Sequence, residues 1–149
     1  MLKLPPPIWT MIFLAIAAAL SWALGWPQIG WPPHHVVIGT IVFFAGWILP
    51  VWAFRLFRAE GTEIDPVSET NRALVVRGPY RFTRNPMYLG LVIAALGMAI
   101  LVGAWPMLAA PVAVFLTAQF AHIPFEEAKM RRQFGEAYDA YVRQVRRWL

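Results

Sequence analysis

The sequence contains no cysteine. Disulfide frameworks and thiolate metal sites are therefore excluded, and the redox compartment stays open. Charge is nearly as scarce. Only 14% of residues are charged, against about 25% in a typical soluble domain. Its absence is concentrated: no Asp, Glu, Lys or Arg occurs from Leu4 to Phe54, and none from Asn85 to Phe125. A chain of 149 residues that is 59% hydrophobic has too little interior to hide such blocks from water. Disorder is excluded by the same hydrophobicity. There is also no G-x-G-x-x-G motif, which removes a soluble dinucleotide-type cofactor site. What remains is an all-α integral membrane protein forming one domain over 1–149.

A helix needs about 20 apolar residues to cross the hydrocarbon layer, so each charge-free block holds two passes. The first divides at Gly25-Trp26-Pro27-Gln28-Ile29-Gly30-Trp31-Pro32-Pro33, a segment with turn punctuation and interfacial tryptophans. The second divides at Gly103-Ala104-Trp105-Pro106. Four transmembrane helices follow, at about 8–24, 35–54, 87–102 and 107–122, with a loop over 55–86. All 13 Lys and Arg residues then fall at the N-terminus, in or beside the central loop, or in the tail. The positive-inside rule puts all three in the cytoplasm, as expected for a protein of a bacterial or archaeal cytoplasmic membrane. Lys3, the apolar run and Ala17-Ala18-Ala19 outline a signal peptide, yet the later blocks require a membrane in any case. The net charge of +5 suits topology and anionic headgroups. Nucleic acid is not expected as a partner, because no basic soluble surface exists.

Three regions carry more polarity or constraint than anchoring needs. In the lead-in from Leu74 to Gly90, Pro79 and Pro86 fix local geometry and bias Gly78 and Asn85 toward extended backbone. At the end of the fourth helix, Gln119, His122 and Glu126 share one face if the helix continues. Pro124 frees the Phe120 carbonyl and should kink or restart the helix. The third region is the pair Glu126-Glu127 and its arginine-rich sequel. From Glu126 to Trp148 an amphipathic helix is expected, with Met130, Phe134, Tyr138, Tyr141, Val145 and Trp148 on its apolar face.

Together these segments carry two ordered motifs. The first comprises Leu74, Val75, Gly78, Tyr80, Arg84, Pro86, Tyr88 and Gly90. The second comprises Glu126, Glu127, Met130, Phe134, Gly135, Tyr138, Tyr141 and Val145. Both resemble the isoprenylcysteine carboxyl methyltransferase and phospholipid methyltransferase superfamily of integral membrane enzymes. The likeness covers Leu74 to the C-terminus, half of the chain. It implies S-adenosylmethionine as cofactor, with Val75, Tyr80, Arg84, Asn85, Tyr88, Glu126 and Glu127 as its binding residues. Arg84 suits the cofactor carboxylate, Glu126 or Glu127 its ribose or amino group, and Tyr80 and Tyr88 its adenine or sulfonium.

The implied reaction is methyl transfer to a small hydrophobic or lipid-like acceptor, with His122 and Glu126 as candidate catalytic bases. Two departures bear on the acceptor. Arg84-Asn85-Pro86 stands where Arg-His-Pro is usual, and His122 replaces an arginine common four residues before the first Glu. A carboxylate acceptor would lose a cationic clamp, which leaves amine, phenol and thiol open beside it. The alternative function is a non-catalytic four-helix membrane scaffold or anionic-lipid-binding protein. A transporter would need intramembrane charge or an internal repeat, and neither is present.

Overall fold

A computed structural model describes residues 5–59 and 74–149. Lys3, Arg72 and residues 60–73 of the expected central loop lie outside the described residues. Helix α1 spans Pro6–Ala23, with two prolines in a first turn that needs no N–H partners. Its hydroxyls are satisfied within the helix: Thr10 Oγ1 donates to the Pro6 carbonyl and Ser21 Oγ to that of Ala17. Lipid offers no substitute partner, so this internal satisfaction is required. Helix α2 spans His35–Ala59 and α3 spans Pro86–Val102, the latter ending on left-handed Gly103. The fourth rod runs from a 3₁₀ turn at Trp105–Leu108 through α4 (Ala109–Thr117) and a π turn (Ala118–His122) into α5 (Ile123–Phe134). Helix α6, Glu136–Gln144, follows.

Three helical stretches, Pro6–Ala23, His35–Ala59 and Trp105–Phe134, are long and apolar enough to cross a membrane. Helix α3, at 17 residues, meets the lower end of the spanning range. It is the central element, packed on α2 along one side and on α1 and α4 along the other. Small residues explain how α2 and α3 approach. Gly39 and Gly46 on α2 face Leu101, Gly97, Ala94 and Gly90 on α3, and a methyl group on any of the four glycines would overlap the opposite helix. Such small-residue seams let backbones touch where lipid supplies no hydrophobic drive. Large side chains point outward instead, among them Met11, Ile16, Ile41, Phe44, Ile48 and Phe120.

The two short connections meet at one end of the bundle. Ile29 N–H donates to the Gly103 carbonyl at 2.9 Å, and Trp105 N–H to that of Pro27 at 3.1 Å. The antiparallel order of α2 and α3 puts the lead-in to α3 at the other end.

Two local expectations need correction, and a third takes a particular form. Gly78 is not extended. It takes φ +62° and opens a 3₁₀ turn over Gly78–Arg81, where any side chain would press on Leu56 and Trp52. The disturbance expected at Pro124 takes the form of a π turn, after which α5 begins at Ile123 with the proline in its first turn. The Ile123 N–H reaches back five residues to the Ala118 carbonyl, a widened turn that makes room for the proline ring. The amphipathic stretch is helical but does not run unbroken from Glu126 to Trp148. It breaks at Gly135 (φ +51°, ψ −125°) and stops at Gln144, after which Val145 is extended. The five residues from Val145 to Leu149 therefore return toward the bundle.

Candidate functional site at the α3 entry

The returning C-terminal segment lies along the lead-in to α3. Arg84 N–H donates to the Arg146 carbonyl at 3.0 Å. Thr83 Oγ1 and Asn85 Nδ2 both donate to the Arg147 carbonyl, at 3.1 and 2.9 Å, while Thr83 Oγ1 also accepts from the Asn85 N–H. Trp148 Nε1 donates to Gln119 Oε1 at 2.8 Å, and its ring packs on Phe115. These bonds satisfy backbone that no helix ladder serves, and they strap residues 146–148 over the turn that Pro79 and Pro86 shape.

Beneath the strap lies a three-membered ionic cluster. Glu127, nearly buried, accepts from Arg147 Nε at 3.1 Å and Nη2 at 2.6 Å, and pairs with Arg84 Nη2 at 3.1 Å. The double bond to Glu127 raises the Arg147 pKa above its ordinary value. Arg84 is only 11% exposed, and its Nε and Nη1 donors are buried with no acceptor. Buried donors almost always have partners, and charged ones more so. An anionic group fits this gap.

At the neighbouring residue of α5, Glu126 Oε1 accepts from Tyr88 Oη at 2.5 Å. His122, 2% exposed, stacks on Trp9 of α1 with centroids 5.0 Å apart and planes at 16°. Tyr88 lies against both rings, at 6.2 Å from Trp9 and 5.9 Å from His122. At the same end of the bundle, Val75, Ala53, Tyr80, Tyr138 and Tyr141 form an apolar cluster. Tyr141 Oη donates to the Tyr80 carbonyl at 2.7 Å. Burial raises the pKa of Tyr80, Tyr138 and Tyr141, and the negative charge of Glu126 adds to the effect on Tyr80. All three remain neutral hydroxyls at physiological pH.

The sequence pattern of the phospholipid methyltransferase family matches residues 34–137. The chain belongs to that family. No curated protein matches it as a relative. The family implies methyl transfer in a membrane setting, and the all-helical fold with its apolar spans accords with that.

Within this family framework, the geometry sorts the residues singled out by sequence. Arg84, Tyr88, His122, Glu126 and Glu127 converge at the α3 entry. Asn85 serves the strap, and Val75 and Tyr80 line the adjoining apolar cluster. Gln119, expected on one face with His122 and Glu126, instead turns to Trp148. Three contributors were not anticipated as site residues. Arg147 and Trp148 read as charge and apolar face of a helix, whereas the Phe134-Gly135 step marks where that helix breaks. Trp9 had no sequence signal beyond being aromatic in a charge-free helix. All three lie outside the segment that the family pattern matches.

Proposed function

We propose that the protein transfers a methyl group from S-adenosylmethionine to a small hydrophobic or lipid-like acceptor at the cytoplasmic face of the membrane. The observation that carries this reading is the buried Arg84 guanidinium, tied to Glu127 by one nitrogen and left with unpartnered donors on the other two. Those donors suit the cofactor's carboxylate through charge-assisted bonds. In this reading Glu127 attracts the cofactor's cationic amino group, and Glu126 accepts from a ribose hydroxyl. Tyr88 adds an aromatic wall against which a sulfonium is attracted. When bound, the cofactor supplies an electrophilic methyl group on sulfur.

The chain's own task is then alignment and exclusion of water. The strap closes the aqueous side, while Trp9, Tyr88 and His122 close the bundle side. His122 and Glu126 are the groups near the site able to take a proton from the acceptor. The asymmetry of basic residues supports a cytoplasmic placement, and the expected host is a bacterial or archaeal cytoplasmic membrane.

The test is thermal unfolding in detergent with S-adenosylhomocysteine. Ligand at 100 times its Kd stabilises the folded state by about 2.7 kcal/mol, a shift of several degrees. Arg84→Gln should remove most of that shift while leaving helical circular dichroism intact. An unchanged melting temperature for the wild type at millimolar ligand would rule out the methyltransferase reading and favour a non-catalytic scaffold.

A further inference from the structure

Trp9 and His122 each bury a ring nitrogen that has no partner. Trp9 is 0% exposed and His122 2%, and neither Trp9 Nε1 nor His122 Nε2 finds a hydrogen-bond partner. A buried indole N–H ordinarily has one, because a buried donor left unmade keeps its full desolvation penalty. Trp148 shows the contrast: its indole reaches Gln119. The two orphaned nitrogens belong to rings stacked 5.0 Å apart, both in contact with Tyr88, whose hydroxyl holds Glu126. Trp9 and Tyr88 belong to the apolar core of the bundle, the side from which a hydrophobic acceptor arrives in this reading.

Building on the methyltransferase reading above, we propose that Trp9 and His122 form the acceptor subsite and that the acceptor's nucleophile is a phenolic hydroxyl. The choice follows from counting lone pairs and charges. The indole N–H only donates, so the group it meets must spend a lone pair on it. A neutral amine has one lone pair, and used on Trp9 it is lost to attack. A hydroxyl oxygen has two, one for the indole and one for the methyl carbon; a thiol sulfur also has two but is only a weak acceptor for the indole N–H.

A carboxylate also has lone pairs to spare, but Arg147 is committed to Glu127 and the free donors of Arg84 are taken by the cofactor's carboxylate in the reading above. The anion would sit beside Glu126, one helical turn from His122, with no cation of its own. Buried charge in that setting is costly. Among hydroxyls, a phenol is the readiest to give up its proton to a neutral imidazole, because an aliphatic alcohol is a far weaker acid.

The step balances. The phenol O–H bond breaks and its proton passes to His122 Nε2. The oxygen's free lone pair forms the new C–O bond. The sulfur–methyl bond breaks with its electron pair kept by sulfur, and a neutral thioether and a methyl ether leave.

The experiment offers the detergent-solubilised protein four probes of equal alkyl chain length, a phenol, a primary amine, a carboxylic acid and a thiol, with isotopically labelled cofactor. Products are read by mass spectrometry. A second readout is melting temperature with S-adenosylhomocysteine saturating and each probe added. The phenol should give the labelled methyl ether and the largest added thermal shift.

Trp9→Phe, which keeps an aromatic ring and removes the N–H, should lower kcat/KM for the phenol about tenfold, the size of one hydrogen bond. It should also reduce the phenol-dependent thermal shift while leaving the S-adenosylhomocysteine shift unchanged. His122→Gln should abolish ether formation. Preferential methylation of the amine, acid or thiol would overturn the proposal. So would an unchanged Trp9→Phe variant, or no product from any probe while S-adenosylhomocysteine still raises the melting temperature. Absence of that cofactor-analogue shift in the wild type would instead bring down the methyltransferase reading and this inference with it.

Discussion

Removing the Arg147 guanidinium tests whether the C-terminal strap is a structural part of the site. Arg147→Met keeps a comparable apolar stem and deletes two bonds to Glu127, at 3.1 and 2.6 Å. Glu127 is then left with Arg84 alone. Breaking one partner of a fully buried pair costs about 3–5 kcal/mol, but Arg147 is 30% exposed, and solvent screening reduces that figure. About 1–3 kcal/mol is the expected loss. For a chain of this length each kcal/mol moves the melting temperature by about 2–4 °C, so a fall of roughly 3–10 °C should appear in differential scanning fluorimetry in detergent. Arg147→Lys should recover only part of it, because a point charge cannot reproduce the forked contact. The double variant with Glu127→Gln should be non-additive, since both changes break one interaction. A melting temperature within 1 °C of wild type, or strict additivity with Glu127→Gln, would refute the cluster as described.

Tyr88→Phe leaves Glu126 Oε1 without its donor and should weaken S-adenosylhomocysteine binding about tenfold, measured by the ligand dependence of the thermal shift. Gly90→Val places a branched side chain against Pro50 and the Gly46 carbonyl. It should abolish the monodisperse folded peak in size-exclusion chromatography, because backbone at a helix seam cannot yield as a side chain can. Stability should be flat from neutral pH to about 10 and fall above it. The buried Tyr80 and Tyr141 hydroxyls titrate higher in the folded state than in the unfolded chain, so rising pH favours the unfolded form once free tyrosine ionises. Tyr141→Phe should flatten that alkaline fall in a pH series of melting temperatures.

The membrane passes were legible because a charge-free run is a local property that no packing detail can disguise. The motif residues Arg84, Tyr88, Glu126 and Glu127 were legible for a related reason: charge and aromatic hydroxyls stand out against apolar helices. What escaped depended on chain direction after a single residue. Arg147 reads only as one more basic residue of the tail until Gly135 breaks the helix and the chain turns back. Pro124 signalled a disturbance correctly, but a π turn absorbs it, because the widened ring of hydrogen bonds is set by packing around Ala118 and Ile123. Trp9 could be placed only once α1 was seen against α4 and α3. The paired glycines of α2 and α3, seven residues apart on each helix, were visible in the sequence, but their meaning required knowing that those faces meet.

That glycine seam also decides where the bundle can open. Helices α2 and α3 touch backbone to backbone, so separating them exposes carbonyls and leaves a gap no side chain fills. Helix α1 meets its neighbours through Trp9, Phe13 and Leu14, side chains with rotamers to spare. Movement within the bundle is therefore easier at α1 than between α2 and α3: the first helix is held by side chains that can repack, the α2–α3 hairpin by backbone that cannot.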